Sequence, residues 1–127
     1  MNLSDLHKLE DVVLHENAKG FEVETLAHYL IDGVYTKVFV AKKAGTFIGQ
    51  HSHHWDHGTL VASGAVRVFI NGSSVGDYQA GDMIEISGGK KHVLLALEDN
   101  TICACIHNAH GKAEPQIEEE AVFGERI

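Results

Sequence analysis

The spacing of hydrophobic positions changes near residue 21. Before it, Leu6, Leu9 and Val13 recur at helical spacing, Ser4 is suited to capping and Gly20 to stopping, so residues 3–20 are expected to be helical. Val12-Val13-Leu14 would equally suit the start of an edge strand. After it the period is two: Phe21, Val23, Thr25 and Ala27 alternate with Glu22, Glu24 and Leu26. Asp32-Gly33, followed by Val34 to Val40, predicts a hairpin of 21–31 with 34–42. Short strands then follow at Thr46–His53, His57–Ser63, Ala65–Ile70, Val75–Gln79, Met83–Ile86, His92–Leu97 and Thr101–His107. The turns between them are Gly64, Asn71 to Ser74, Ala80 to Asp82, Ser87 to Lys90 and Asp99-Asn100. No helix-length segment intervenes, so the pattern predicts an all-β sandwich or barrel and disfavours a parallel βαβ fold.

Composition adds bounds. The 127 residues, 44% hydrophobic, suit a single domain (1–127) with one core. The formal net charge of −8 disfavours nucleic acid and anionic membrane surfaces as partners. The N-terminus lacks the basic and apolar regions of a signal peptide, and no apolar run is long enough to span a bilayer. Cys103 and Cys105 share a strand face and read as small buried apolar fillers, which fits a reducing, cytoplasmic setting. The tail, 111–127, is acidic and carries Ile117, Val122, Phe123 and Ile127 at no clear period; it is expected to dock on the barrel, cross to a partner subunit or fray.

The candidate chemistry lies in Gln50 to Gly58, QHSHHWDHG, which holds four of the ten histidines. Strand alternation puts His51 and His53 on one face with Phe47 and Gly49, leaving Ile48, Gln50 and Ser52 on the other. A turn at His54-Trp55-Asp56 lets His57 open the neighbouring strand. His54 has the opposite parity, and Asp56 is either an exposed turn residue or an orienter of a ligand histidine. The same alternation puts Thr59, Val61 and Ser63 inside after His57, and Leu94 and Ala96 inside after His92. With Phe47 they form a mostly apolar, small-residue lining suited to a modest organic ligand. It holds no obvious general acid or base; alternation leaves the facing of Arg67 and Glu85 open, and His107 and His110 receive no role.

These residues resemble the cupin motifs. Gly45, five residues, His51-Ser52-His53, three residues, His57, six residues and Gly64 follow the first motif, with His57 in place of its Glu. Gly81, five residues, Ser87-Gly88-Gly89, two residues and His92, then Ala96, follow the second, with Ser87 for Pro and Ala96 for Asn. The resemblance covers about residues 34–107. It implies a jelly-roll barrel (a double-stranded β-helix) with that segment as its core and residues 1–33 as a short helical or strand extension. It also implies metal ligands at His51, His53, His57 and His92, as in small single-domain cupins with four-histidine sites, often manganese proteins. Homodimers are its further expectation, with the 21–42 hairpin offering an edge.

Imidazoles accept manganese, iron, nickel, cobalt, copper or zinc, and the resemblance puts manganese and iron first. Four neutral ligands leave a divalent ion its full charge and, if it is octahedral, two open positions. Acid weakens such binding because the ligands must be neutral. The leading expectation is therefore a metal-dependent oxidoreductase or dioxygenase acting on a small molecule. The alternatives are a metal-dependent isomerase or lyase, a non-catalytic binding or sensing module, and a metal-free structural cupin.

Overall fold

The computed structural model describes residues 2–14, 19–20, 23–50 and 56–109. A 3-10 turn (Leu3–Asp5) and helix α1 (Leu9–Leu14) precede ten strands. These are β1 (Lys19–Gly20), β2 (Val23–Ile31), β3 (Val34–Ala41), β4 (Thr46–Gln50), β5 (His57–Ser63), β6 (Ala65–Ile70), β7 (Ser73–Gln79), β8 (Met83–Ile86), β9 (His92–Ala96) and β10 (Thr101–Asn108). They form two five-stranded sheets, ordered β1-β4-β9-β6-β7 and β2-β3-β10-β5-β8. Strands distant in sequence are neighbours, with β4 against β9 and β10 between β3 and β5, as in a jelly roll.

Alternation explains the core. Phe39, Val61, Cys103 and Cys105 of one sheet meet Ile48, Val66, Val68 and Leu94 of the other in a buried interior. Both cysteines are buried thiols outside any disulfide, and burial pushes the Cys103 thiol up to about 12, which makes it inert. The β2–β3 turn takes the doubly left-handed form its Asp-Gly pair foretold, with φ of 49° at Asp32 and 75° at Gly33.

The N-terminal helix is shorter than its spacing predicts. Helix α1 begins only at Leu9, Ser4 lies within the 3-10 turn, and Gly20 lies in strand β1, parallel to β4. Tertiary hydrogen bonds divert the chain: Lys8 bridges to Ser73, the Leu9 amide donates to the Gly72 carbonyl at 2.9 Å, and the Ser74 amide donates to His7 at 2.9 Å. Leu6 and Val12 then bury against Phe47, Phe69, Val93 and Leu95 on the outer face of the first sheet. Arg67, whose facing alternation left open, lies on this outer side. Its guanidinium donates to both carboxylate oxygens of Asp77, at 2.6 and 2.8 Å, and to the Leu6 carbonyl at 2.9 Å. The turn before β7 is also tighter than the sequence suggests: Ser73 and Ser74 already belong to the strand.

Gly64, the closing glycine of the first motif, is required twice over. Its φ is +77°, and an added Cβ would meet the Thr101 side-chain oxygen and lie 2.9 Å from Thr101 Cα. Thr101 is held there by donating to the Glu98 carbonyl at 2.8 Å. Gly64→Ala is therefore expected to destabilise the fold by about 2–3 kcal/mol, read from urea unfolding. A loss under about 0.5 kcal/mol would contradict the close approach.

Candidate metal and ligand site

One end of the barrel collects the polar interior residues. His57 opens β5 and His92 opens β9, while β4 ends at Gln50, the registered partner of His92. On the sheet that carries β5, β3 starts and β10 ends at the same level, with Tyr35 paired to His107. His57 faces inward beside Ile86, and His92 lies on the same parity as Leu94. Their rings stand 4.8 Å apart between centroids, tilted by 44°. His57 is 6% exposed and His92 1%. The two motifs thus meet in space.

The donor chemistry fits a cation. The Lys90 carbonyl can only accept, so its 3.3 Å contact with His92 Nδ1 places the proton on Nδ1 and leaves the Nε2 lone pair as donor. That Nε2 and both ring nitrogens of His57 are shut off from solvent. Burial holds His92 below the ordinary histidine range, with the Lys90 contact opposing it more weakly. Neutral, desolvated imidazoles are what a divalent transition metal takes as ligands. His57 and His92 would hold such an ion from this end. His51, His53 and His54 lie outside the described residues, and among the described residues no group of three metal-ligating side chains occurs.

The pocket expectation divides. Val61 and Leu94 line the interior, Thr59 hydrogen-bonds Cys105 Sγ at 3.4 Å within it, Ala96 is buried on the same strand as Leu94, and Ser63 is half-buried at the far end. Phe47 does not line it: it packs in the outer cluster, and Ile48 takes the interior place. The register explains the exchange, since Ile48 pairs with Leu94 and Phe47 with Leu95. With Ile48 facing in, strand parity no longer assigns His51 and His53, which lie outside the described residues, to the interior.

The interior is also less bare of proton-transfer groups than its sequence suggests. Tyr35, Lys37 and Phe39 share the inner parity of β3, at 1%, 8% and 1% exposure. Tyr35 stacks on His107 with ring centroids 5.3 Å apart. Carrying the alternation back from Phe39 would have revealed both residues, but Lys37 in a run of apolar positions reads as a solvated edge. Glu85 is exposed.

Asp56 has a role at this end. Its Oδ1 accepts from the Gly88 amide at 2.7 Å, clipping the approach to β5 onto the turn before β9. His57 and His92 follow those two segments. Asp56→Ala is expected to keep the fold and weaken metal affinity about tenfold, measured by competition with a chromogenic chelator. Unchanged affinity would make the clip irrelevant to the site.

No protein-family model and no curated protein matches this sequence. Solved structures do match. A cupin superfamily protein from Desulfitobacterium hafniense superposes with a TM-score of 0.58 at 16% identity, over 76% of this chain and 85% of that one. The fold is that of the cupins. KdgF from a Halomonas species gives 0.56 at 18% identity, over 74% and 81% of the two chains. A putative mannose-6-phosphate isomerase from Ralstonia eutropha gives 0.55 at 12%, over 72% and 88%. At such identities the likeness concerns the cupin fold, and the site must speak for the chemistry.

Proposed function

We propose that this cupin-fold chain is a metal-dependent enzyme acting on a small oxygenated molecule at the histidine end of the barrel. The ligands are His51, His53, His57 and His92, and manganese or iron is the native ion. The convergence of buried His57 and His92 from two separate motifs carries the reading. When bound, the ion supplies Lewis acidity at a substrate oxygen. Around it Tyr35 and His107 offer a phenol and an imidazole able to exchange a proton, Thr59 a hydroxyl, and the apolar interior excludes water.

These groups shift the preference among reactions. The two open positions of a four-histidine ion suit an oxidoreductase or dioxygenase, in a lining with no obvious acid or base. Tyr35 and His107 supply such groups, so proton transfer beside a polarised carbonyl, as in an isomerase or lyase, is favoured, with oxygenase chemistry second. The putative isomerase among the neighbours agrees with this order. The test is a carbonyl-substrate screen of metal-reconstituted, untagged protein with and without dioxygen. Turnover that persists anaerobically supports the isomerase or lyase reading. Strict dependence on dioxygen restores the oxygenase, and ligand affinity without turnover indicates a binding module.

The partner is a second copy of the chain. Edge strand β2 and the outer face beside it expose Leu26, Tyr29, Ile31 and Val34 at 44–68%, apolar side chains suited to pairing with a second copy. Light scattering is expected to give twice the chain mass; a monomeric mass would remove this interface.

A further inference from the structure

We infer that two copies of this chain pack through the outer face of the β2-β3-β10-β5-β8 sheet, sheet against sheet, rather than through the edge of β2. This rests on the homodimer reading above and names the surface that forms the dimer.

Register and burial define that face. Phe39, Val61, Ile84, Cys103 and Cys105 point into the barrel, so the residues that alternate with them point out. Ala27 pairs with Val38, Val38 with Ala104, Ala104 with Leu60, and Leu60 with Met83. These side chains form one apolar row across all five strands, about 19 Å long at the usual strand spacing. Val38 and Leu60 are half-buried and Met83 is 54% exposed. The row beside it runs through Tyr29, Thr36, Ile106 and Gly58 before it meets Glu85 on β8. On the other side Val40 pairs with Ile102 and with Glu24 of β2, whose carboxylate is held by Lys42 at 2.7 Å. Charge therefore stands on the two edge strands of this face and not at its centre.

The other sheet shows what such a face requires. Its outer side carries Phe47, Phe69, Val93 and Leu95, and Leu6 and Val12 of the N-terminal segment cover them. The row from Ala27 to Met83 belongs to no buried cluster of the described residues. An apolar sheet face is stable when another layer covers it.

A second copy fits that layer. Two sheets of like twist pack face to face about 10 Å apart with interdigitating side chains. Small Ala104 and Gly58 among Val38, Leu60 and Ile106 give the relief for it. The net charge of −8 repels a second copy, so contact is favoured where the surface is uncharged. Five strands give a face of roughly 24 by 20 Å in projection, and side-chain relief brings it toward the about 800 Å² per partner of a standard interface; one strand edge falls well short. Residues 110–127 suit the face less well, because their four large apolar side chains, Ile117, Val122, Phe123 and Ile127, are outnumbered by five glutamates.

Sedimentation velocity of the full-length protein over a concentration series reads the dimer Kd. Leu60→Lys, at the centre, should raise it about 100-fold, and Met83→Lys, on the edge strand farthest from β2, about tenfold. Leu26→Lys, at the bulge in β2 and outside the paired rows, should change it less than about threefold. Melts monitored by circular dichroism check that each variant is folded, and the exposed position of Met83 lets Met83→Lys decide even if Leu60→Lys fails to fold. A dimer unmoved by Leu60→Lys and Met83→Lys would overturn the face and leave the homodimer standing; dissociation by Leu26→Lys would then place the contact on the β2 edge. A monomeric wild type would overturn both readings, and a Tm lowered by Phe123→Lys would then give the face to residues 110–127.

Discussion

His92→Ala is expected to cut transition-metal affinity on the order of 100-fold or more, leaving purified protein with far less than one equivalent after dialysis. The size of the effect follows from position. His92 is 1% exposed, its Nδ1 proton is fixed by the Lys90 carbonyl, and its ring stands 4.8 Å from that of His57. No alanine-side water can replace a neutral imidazole held in that orientation. The truncation also leaves a cavity costing about 2 kcal/mol, so thermal melts must show a folded protein before metal is compared. Elemental analysis of untagged protein supplies the measurement, with His54→Ala as a control expected to bind normally. Undiminished metal in folded His92→Ala protein would mean that the two motifs do not share an ion.

The second large effect is on stability. Arg67→Ala is expected to destabilise the fold by about 3 kcal/mol and to lower Tm by roughly 10 °C. The guanidinium side chain is 5% exposed, and it joins β6, β7 and the N-terminal segment through Asp77, Leu6 and Leu3. Its removal leaves carbonyls and a carboxylate without their donor beneath Leu6 and Val12. The Asp77 side chain is half exposed, which keeps the cost at the low end for a buried pair. The pH dependence has a definite sign. The hydrogen bond from Arg67 holds the Asp77 carboxyl below its ordinary range, so the pair's contribution is present above about pH 4 and is lost as pH falls through the lowered value. Wild type should therefore lose stability on acidification more steeply than Arg67→Ala. Parallel acid profiles, or a Tm within about 2 °C of wild type, would show that the clamp is not formed.

Much of the architecture was legible because local rules act on local sequence. The Asp32-Gly33 hairpin, the strands His57–Ser63 and Ala65–Ile70, and the turn at Gly64 lie where period and turn chemistry place them. The motif glycines Gly45, Gly64, Gly81 and Gly89 all adopt positive φ, which explains in backbone terms why those spacings are recognisable. The N-terminus was less legible. Its helical period is real, but bonds to Ser73, Gly72 and Ser74 outweigh a marginal short helix.

The sequence by itself determined the all-β class, the barrel strands, and the candidacy of His57 and His92, because alternation and turn residues are read one strand at a time. Only the tertiary structure decided which face of each strand is the inside. It exchanged Phe47 for Ile48, sent Arg67 outward to Asp77, and stacked Tyr35 on His107 at the histidine end. Period two defines two faces but labels neither. Cross-strand pairing and the covering N-terminal segment supply the label, and both join residues far apart in the chain.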